Sequence, residues 1–299
     1  MAEPCDTGPD PGPQAGPLTP VAIIAGRGEL PERLARVRAE RGLPSLIVAF
    51  PGFEADWMSG HDVQRHEFER AGALLRGLKS ADVTHVVFAG AMERPKLRYW
   101  RADWTALKLA FRATTLLRHG DDAMLRGFGA IFEDWGMSLI GADEILGGEI
   151  KLRPGPLGDL SPSALDLSDA RRAAQIVDAL GDLDIGQGAV VASGLCLGIE
   201  TLGGTDHMLS GIAALPAERR RITPPPSGVL YKGPKPGQDR RVDMPTIGVG
   251  TVEAVARAGL AGIVGAAGET QLMDPEATRA AANRLGLFVF GAQPRDLAG

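Results

Sequence analysis

The sequence predicts an α/β protein of two domains. Short, fully apolar segments recur along the chain, and amphipathic stretches at helical period alternate with them. The pattern pauses at a Pro- and Gly-rich stretch, Lys151–Ser163, and then restarts. No spacing repeats at a fixed period, which excludes a solenoid or propeller.

The elements follow in order. Residues 1–20 hold six prolines, three glycines and no Lys or Arg, the composition of a disordered tail. From Val21, "VAIIAG" reads as a buried strand, "LPERLARVRAER" as a helix and "SLIVAF" as a second strand. "FERAGALLRGLKSA" is a helix and "HVVFAGA" a third strand. Such apolar runs suit a parallel sheet covered on both faces by crossover helices. A long helical stretch is expected over Arg94–His119, a further helix from "GDDAMLRGFGAIFEDWG", and a strand at Met137–Ala142. The N-terminal domain is therefore placed at 21–150, a linker at 151–165 and the C-terminal domain at 166–299. In that second half, a helix at Asp166–Leu180 precedes one long strand region, "GAVVASGLCLGIE". "PPPSG" is a breaker, and "GPKPGQDRRVDMPTIG" is read as extended. "GLAGIVGAAG" and "GLFVFG" are strands with the helix "DPEATRAAANRLG" between them.

Bulk properties narrow the function. At 299 residues and 44% hydrophobic, the chain can build sizeable cores, and with 5% aromatics those cores are aliphatic. A net charge of −5 argues against coating nucleic acid. Cys5 and Cys196 suggest no disulfide framework. The N-terminus lacks the basic region and apolar core of a signal peptide. No apolar run reaches the roughly 18 residues that a spanning helix needs. The expectation is a soluble cytoplasmic protein.

The first candidate site is the glycine turn after the first strand. A dinucleotide fingerprint needs G-x-G-x-x-G, but Gly26-x-Gly28 is followed by Pro31 in the third glycine's place. The acidic residue expected after the second strand, for a ribose, is replaced by Phe50 and Pro51. A nicotinamide-dependent oxidoreductase is therefore disfavoured, and there is no P-loop lysine. What remains is either a tight turn or backbone amides near an anion at a helix N-terminus.

The densest cluster of charge is Tyr231–Pro245, "YKGPKPGQDRRVDMP", with Lys232, Lys235, Gln238, Asp239, Arg240, Arg241 and Asp243. As a strand it would put Asp239, Arg241 and Asp243 on one face. Carboxylates beside cations suit a divalent metal next to phosphate, although a solvated charged loop has the same composition. "IETLGGTDHM" offers Glu200 and Asp206 as metal ligands, with helix capping by Thr205 or Asp206 as the simpler account. "HGDDAML" puts Asp121 and Asp122 at a helix start, where the helix dipole already favours acids. Leu97, Trp100, Trp104, Leu107 and Phe111 fall near helical spacing among basic residues, as in a core-facing helix or one lying on a membrane. The five histidines and two cysteines show no zinc spacing, and Ser193 sits in no serine-hydrolase elbow.

Taken together and in this order, "IAGRGELP", "GAMERPKL", "GDDAMLR", "LDIGQGAVV", "KPGQDRRVDMPTIG", "GLAGIVGAAG" and "GLFVFG" resemble the UDP-2,3-diacylglucosamine pyrophosphohydrolases of the lipid A pathway. The resemblance runs from about Val21 to Gly291. It implies a Rossmann-like N-terminal half, a C-terminal half with a fold of its own, and Mg²⁺-dependent cleavage of UDP-2,3-diacylglucosamine to UMP and 2,3-diacylglucosamine 1-phosphate (lipid X). It implies that Asp243 is the essential aspartate. It also implies nucleotide and substrate contacts at Gly26, Gly28, Leu30, Ala91 and Asp121. On that basis Asp243, Asp239 and Lys235 are expected in catalysis, and Asp243, Asp206 and Glu200 around the metal. Lys232, Gln238 and Arg241 are expected on the substrate. An amphiphilic substrate implies transient contact with the inner-membrane surface, with Trp100 and Trp104 as candidates, and a homodimer is among the partners allowed. A non-catalytic nucleotide-sugar or lipid carrier is the alternative. Two positions depart from the family pattern: Gly203, where Glu is usual, and Met92, where an aliphatic residue is usual.

Overall fold

The computed structural model describes residues 16–92, 98–106, 121–147, 150–216, 226–241 and 244–297. The first sheet is built from β1 (Val21–Ala25), β2 (Ser45–Ala49), β3 (Val63–Arg65), β4 (His85–Ala89) and β5 (Ser138–Leu139). Its order is β3-β2-β1-β4-β5 and every pairing is parallel. That is the doubly wound order with β1 at the centre. All five residues of β1 are buried. Val21, Ile23 and Ala25 face one core with Leu34 and Ile145, whereas Ala22 and Ile24 face the other with Leu75, Leu78 and Phe132. This two-sided burial is the reason for the unbroken apolar strands. The layers are supplied by α1 (Leu30–Glu40), α2 (Ala71–Ser80), α3 (Asp121–Asp134) and α4 (Ala142–Leu146).

Several expectations change here. Edge strand β3 has no apolar run, "VQR", and the sequence pattern does not show it. Residues 16–20, read as tail, are held in place: Arg38 is fully buried and donates to the carbonyls of Pro17, Thr19 and Pro44 at 3.0, 3.0 and 2.7 Å. Residues 98–103 are not α-helical. A 3₁₀ turn covers Tyr99–Arg101, and Asp103 then accepts from the amide of Ala106 at 2.7 Å, capping a new helix. The rest of Arg94–His119, including Leu97, Leu107 and Phe111, lies outside the described residues. The strand expected over Met137–Ala142 is paired only at Ser138–Leu139, because α4 begins at Ala142.

The second sheet contains β6 (Gly155–Pro156), β7 (Gly188–Ala192), β8 (Leu195–Ile199), β9 (Val229–Lys232), β11 (Gly262–Ala266) and β13 (Phe288–Ala292), in the order β6-β13-β11-β9-β7-β8. Its centre, β13-β11-β9, is parallel, and β7, β8 and β6 run antiparallel to their neighbours. A short parallel ladder, β10 (Thr246–Ile247) with β12 (Gln271–Leu272), lies beside it. Helix α5 (Ala164–Gly181) packs Ala170, Ala173 and Val177 on one face. Helices α6 (Gly204–Ala214), α7 (Val249–Arg257) and α8 (Pro275–Leu285) cover the other, and α9 (Pro294–Leu297) ends the chain.

The "long strand" 188–200 is a β7–β8 hairpin. Ser193 and Gly194 both have positive φ, 50° and 76°, the two-residue turn that a right-twisted hairpin prefers. The buried carboxylate of Asp169, on α5, accepts from both turn amides at 2.9 and 2.7 Å. The sequence pattern does not show central strand β9, because the "PPPSG" breaker dominates its neighbourhood. The expected linker carries edge strand β6, and Leu152 within it is 1% exposed. Among the described residues no helix is long and apolar enough to cross a membrane.

Candidate active site

The two halves meet at a cleft of about 360 Å³. From the first half, Arg27, Gly28, Glu29 and Leu30 line it at the start of α1, with Phe88, Gly90 and Ala91 from the end of β4. These loops are joined backbone to backbone. Gly26 donates to Ala89 at 2.7 Å, and Arg27 and Ala91 exchange two hydrogen bonds at 2.8 and 3.0 Å. A Cβ on Gly26 would stand 2.6 Å from the Ala91 carbonyl oxygen, so glycine is required by close approach. Gly26 thus braces the turn from behind, while Gly28, Leu30 and Ala91 face the cleft.

The second half contributes Gln187, Lys232, Arg240, Arg241, Met244, Thr246, Gln271 and Met273. Lys232, the last residue of β9, is 5% exposed. Its Nζ donates to Thr205 Oγ1 at 2.9 Å and to the Thr246 carbonyl at 3.1 Å. Both partners are neutral, so neither of them neutralises the side chain. Beside it, Tyr231 is buried; desolvation first, then Asp178 and Glu269, pushes its phenol up and keeps it protonated.

The segment 233–241 is not a strand. Asp239 accepts from the backbone amide of Arg241 at 3.0 Å and from its guanidinium Nε and Nη2 at 3.0 and 2.8 Å. This local pairing turns the chain and undoes the one-face arrangement expected of Asp239 and Arg241. Arg241 also reaches Glu133 on α3 at 3.0 Å, joining the two halves. The hydrogen bond to Asp239, then Glu133, pushes the guanidinium further above its ordinary range, so Arg241 stays a cation.

Lys235 is not in the cleft. Its ammonium pairs with Asp184, and the two side chains are 11% and 15% exposed. Its amide donates to Oε1 of buried Gln238 at 2.9 Å. Lys235, Gln238 and Asp239 line a neighbouring depression of about 580 Å³, which Arg240 and Arg241 also border. Lys235 thus joins the "LDIGQ" and "KPGQD" loops through Asp184 and Gln238.

Among the metal candidates, Glu200 is 8% exposed, and its Oε2 has no hydrogen-bond partner among the described residues. Asp206 is exposed in the first turn of α6. Asp239 is engaged by Arg241. Among the described residues no three His, Cys, Asp or Glu side chains gather to hold a metal ion. Glu200, Asp206 and Asp239 do not by themselves make a shell. Asp243 lies outside the described residues, as does the side chain of Asp121, the first residue of α3. Gln187, Met244, Thr246, Gln271 and Met273 are cleft residues that sequence reasoning did not single out. Gln187 carries a signal as the last residue of "LDIGQ", and Met244 and Thr246 lie within "KPGQDRRVDMPTIG"; Gln271 and Met273 lie in no motif.

A family model for the LpxI N-terminal domain matches residues 20–148, and one for the LpxI C-terminal domain matches residues 153–290. The chain belongs to the LpxI family. A curated relative is the UDP-2,3-diacylglucosamine pyrophosphatase LpxI of Caulobacter vibrioides. It is 41% identical over 279 residues, covering 92% of this chain and 98% of the relative. The LpxI C-terminal match takes in Gln187, Lys232 and both arginines, and the N-terminal match takes in the glycine turn and Glu133.

Proposed function

We propose that the chain hydrolyses the pyrophosphate of UDP-2,3-diacylglucosamine to UMP and 2,3-diacylglucosamine 1-phosphate, in lipid A synthesis. The observation that carries this reading is the cleft between the two LpxI domains, where the start of α1 faces Lys232, Arg240 and Arg241. A helix N-terminus opposite fixed cations suits a pyrophosphate. The amides and the ammonium stabilise charge that grows on phosphoryl oxygens in the transition state. A water oxygen bonds to the β-phosphorus, the bond from that phosphorus to the bridging oxygen breaks, and UMP leaves with that oxygen. Arg241, paired with both Asp239 and Glu133, lines the same cleft, so the uncompensated cation beside the phosphate is Lys232.

Mg²⁺ dependence is part of the proposal and rests on the family resemblance. The described carboxylates do not gather into a metal shell, so no step is routed through the ion. Asp243 is proposed as the essential carboxylate on the same ground. A cytoplasmic location with transient attachment to the inner-membrane surface follows from the amphiphilic substrate. Trp100 and Trp104, 82% and 71% exposed, are the proposed contacts.

The test is a ³¹P NMR time course with UDP-2,3-diacylglucosamine and Mg²⁺, for wild type and Asp243→Ala. Wild type is expected to yield UMP and the sugar 1-phosphate, EDTA to stop it, and Asp243→Ala to bind without turnover. An intact pyrophosphate with wild type would turn the assignment toward a carrier. Replacing both tryptophans with Ala is expected to lower sedimentation with anionic vesicles; unchanged sedimentation would remove them as anchors.

A further inference from the structure

The two outer strands of the second sheet differ. At one end, β6 is the dipeptide Gly155–Pro156, and its shortness and its proline blunt that edge. At the other end, β8 runs for five residues, Leu195–Ile199, without proline or charge. Leu195 is 43% exposed, Cys196 is exposed, and Leu197, Gly198 and Ile199 are half-buried. The inner side of β8 is laddered to β7, and among the described residues no strand pairs with its outer side. Such an edge presents N–H and C=O groups to any strand that can lie beside it.

The helix over this edge has the same character. Met208 and Ile212 of α6 lie against Gly198, where a Cβ would stand 3.0 and 3.1 Å from them. The outward positions of the last two turns of α6 are Ser210, Gly211 and Ala214, all exposed and none charged. By contrast α1 exposes Glu32, Arg36 and Glu40, and α8 exposes Glu276, Arg279 and Arg284, as solvated helices do. In a chain of which 23% is charged, β8 and the end of α6 make one uncharged border. With a net charge of −5 two copies repel as wholes, so such a border is where they can approach.

We propose that β8 pairs antiparallel with β8 of a second copy of this chain, joining the two six-stranded sheets into one. Antiparallel pairing of identical strands is isologous, so both chains use the same edge. The two α6 helices then meet on one face of the joined sheet, and Gly211 lets their backbones come close. The blunted β6 edge does not extend the sheet further, so the assembly closes at two. The ladder of β8 shifts register between Val190 and Val191, a bulge that adds local right-handed twist. A second β8 carries the same bulge and the same twist, which matches it to this edge better than a regular strand from another protein. The dimer uses neither Lys232 nor the cleft, and it stands apart from the hydrolase reading.

The test is sedimentation equilibrium of the full chain at micromolar concentration, for wild type, Leu195→Lys, Gly211→Glu and Leu18→Lys. The two-fold brings each substitution in twice, so Leu195→Lys sets like charges against each other in the strand pair, and Gly211→Glu does so between the helices. A Cβ on Gly211 meets nothing within 4 Å, so Gly211→Glu is expected to keep the wild-type circular dichroism spectrum, and its loss of the dimer is not a loss of the fold. Wild type is expected at twice the 31.4 kDa of the chain. Both edge variants are expected at the single-chain mass, with the dimer weakened at least about tenfold. Leu18→Lys replaces a leucine of the first half that is 73% exposed, and it is expected to remain a dimer. Amide exchange at 195–199 is expected to slow as the wild-type concentration rises, and to stay constant in Gly211→Glu. A wild-type monomer, an open-ended assembly, or a dimer that both edge variants retain would overturn the proposal. So would a dimer whose β8 amides exchange as fast as at low concentration, or one that Leu18→Lys dissociates. No turnover enters these readouts, so a failed dimer leaves the hydrolase reading intact and a failed hydrolase leaves the dimer.

Discussion

Lys235 is placed by the sequence among the catalytic residues and by the structure in a pin between two loops, and the two roles predict different outcomes. Its ammonium and the Asp184 carboxylate are 11% and 15% exposed, so the pair is nearly withdrawn from water. An exposed pair contributes about 0–1 kcal/mol, whereas removing one partner of a buried pair costs about 3–5 kcal/mol because a charge is left alone. The remaining exposure lowers that to about 2–4 kcal/mol for Lys235→Met. At about 2.1 cal/mol/K of unfolding entropy per residue over 299 residues, about 3 kcal/mol corresponds to a fall in Tm of about 5 °C. Asp184→Asn is the matching change, because asparagine tolerates the left-handed backbone at φ 56°. In the double variant no charge is stranded, so most of the lost stability should return, and turnover should return with it. Calorimetry on the four proteins and their rates with UDP-2,3-diacylglucosamine form a double-mutant cycle. If Lys235→Met abolished turnover with Tm within about 1 °C of wild type, or if the double variant were stable but inactive, the pin would be refuted and Lys235 would belong to the chemistry.

Three further outcomes are expected. Gly186, in the same loop, has φ 60°, and a Cβ there would overlap the Glu200 carbonyl; Gly186→Ala should destabilise by at least about 2 kcal/mol in urea titrations. Glu133→Gln breaks an interdomain pair whose side chains are both 46% exposed; it should cost under about 1 kcal/mol, and the loss should vanish in molar salt. Glu69 is 7% exposed and accepts from the Arg98 amide at 2.8 Å, which chiefly holds its carboxyl below the usual glutamate range. A lowered folded pKa gives stability that is present above the unfolded value and lost as pH falls through the folded one. Glu69→Gln should therefore flatten the acid limb of Tm against pH, and an unaltered limb would count against that bond.

What was legible in the sequence depended on the length of the apolar signal. β1, β2 and β4 are five-residue strands buried by helices on both faces, so composition alone marks them. β3 and β6 are edge pieces of three and two residues with a single partner each, and nothing in their composition demands a sheet. The hairpin turn was hidden because Ser193–Gly194 interrupts an apolar run by only two residues, and its cap, Asp169, lies 24 residues upstream. The candidate site was legible as motifs and illegible as geometry. Sequence shows that "LDIGQ" and "KPGQDRR" are present. It does not show that Asp184 meets Lys235 over 51 positions, or that Asp239 turns back onto Arg241 two residues on.

The cleft follows one rule on both walls. On the first wall, the turn after β1 is fastened to the turn after β4 by three backbone hydrogen bonds at the close approach of Gly26. On the second, the loop before β7 is fastened to the ends of β8 and β9 by the amides of Glu200 and Gly233. Fastening of this kind leaves little room for loop motion, so side chains carried at these joints are held before any ligand arrives. Lys232 and Gln187 belong to this class. Arg240 and Arg241 do not: both are exposed and both are held by surface carboxylates, Glu269 at 2.8 Å and Glu133 at 3.0 Å. Salt should therefore divide the site. Contacts made by Arg240 and Arg241 should weaken as salt rises toward molar, while the hold of Lys232 on phosphate should persist, because a buried charge is screened far less than an exposed one. A Kd for UMP that rises with salt in wild type, and rises less in an Arg240→Ala/Arg241→Ala protein, is the behaviour this architecture requires. Equal salt slopes would mean that the exposed arginines are not part of the binding surface.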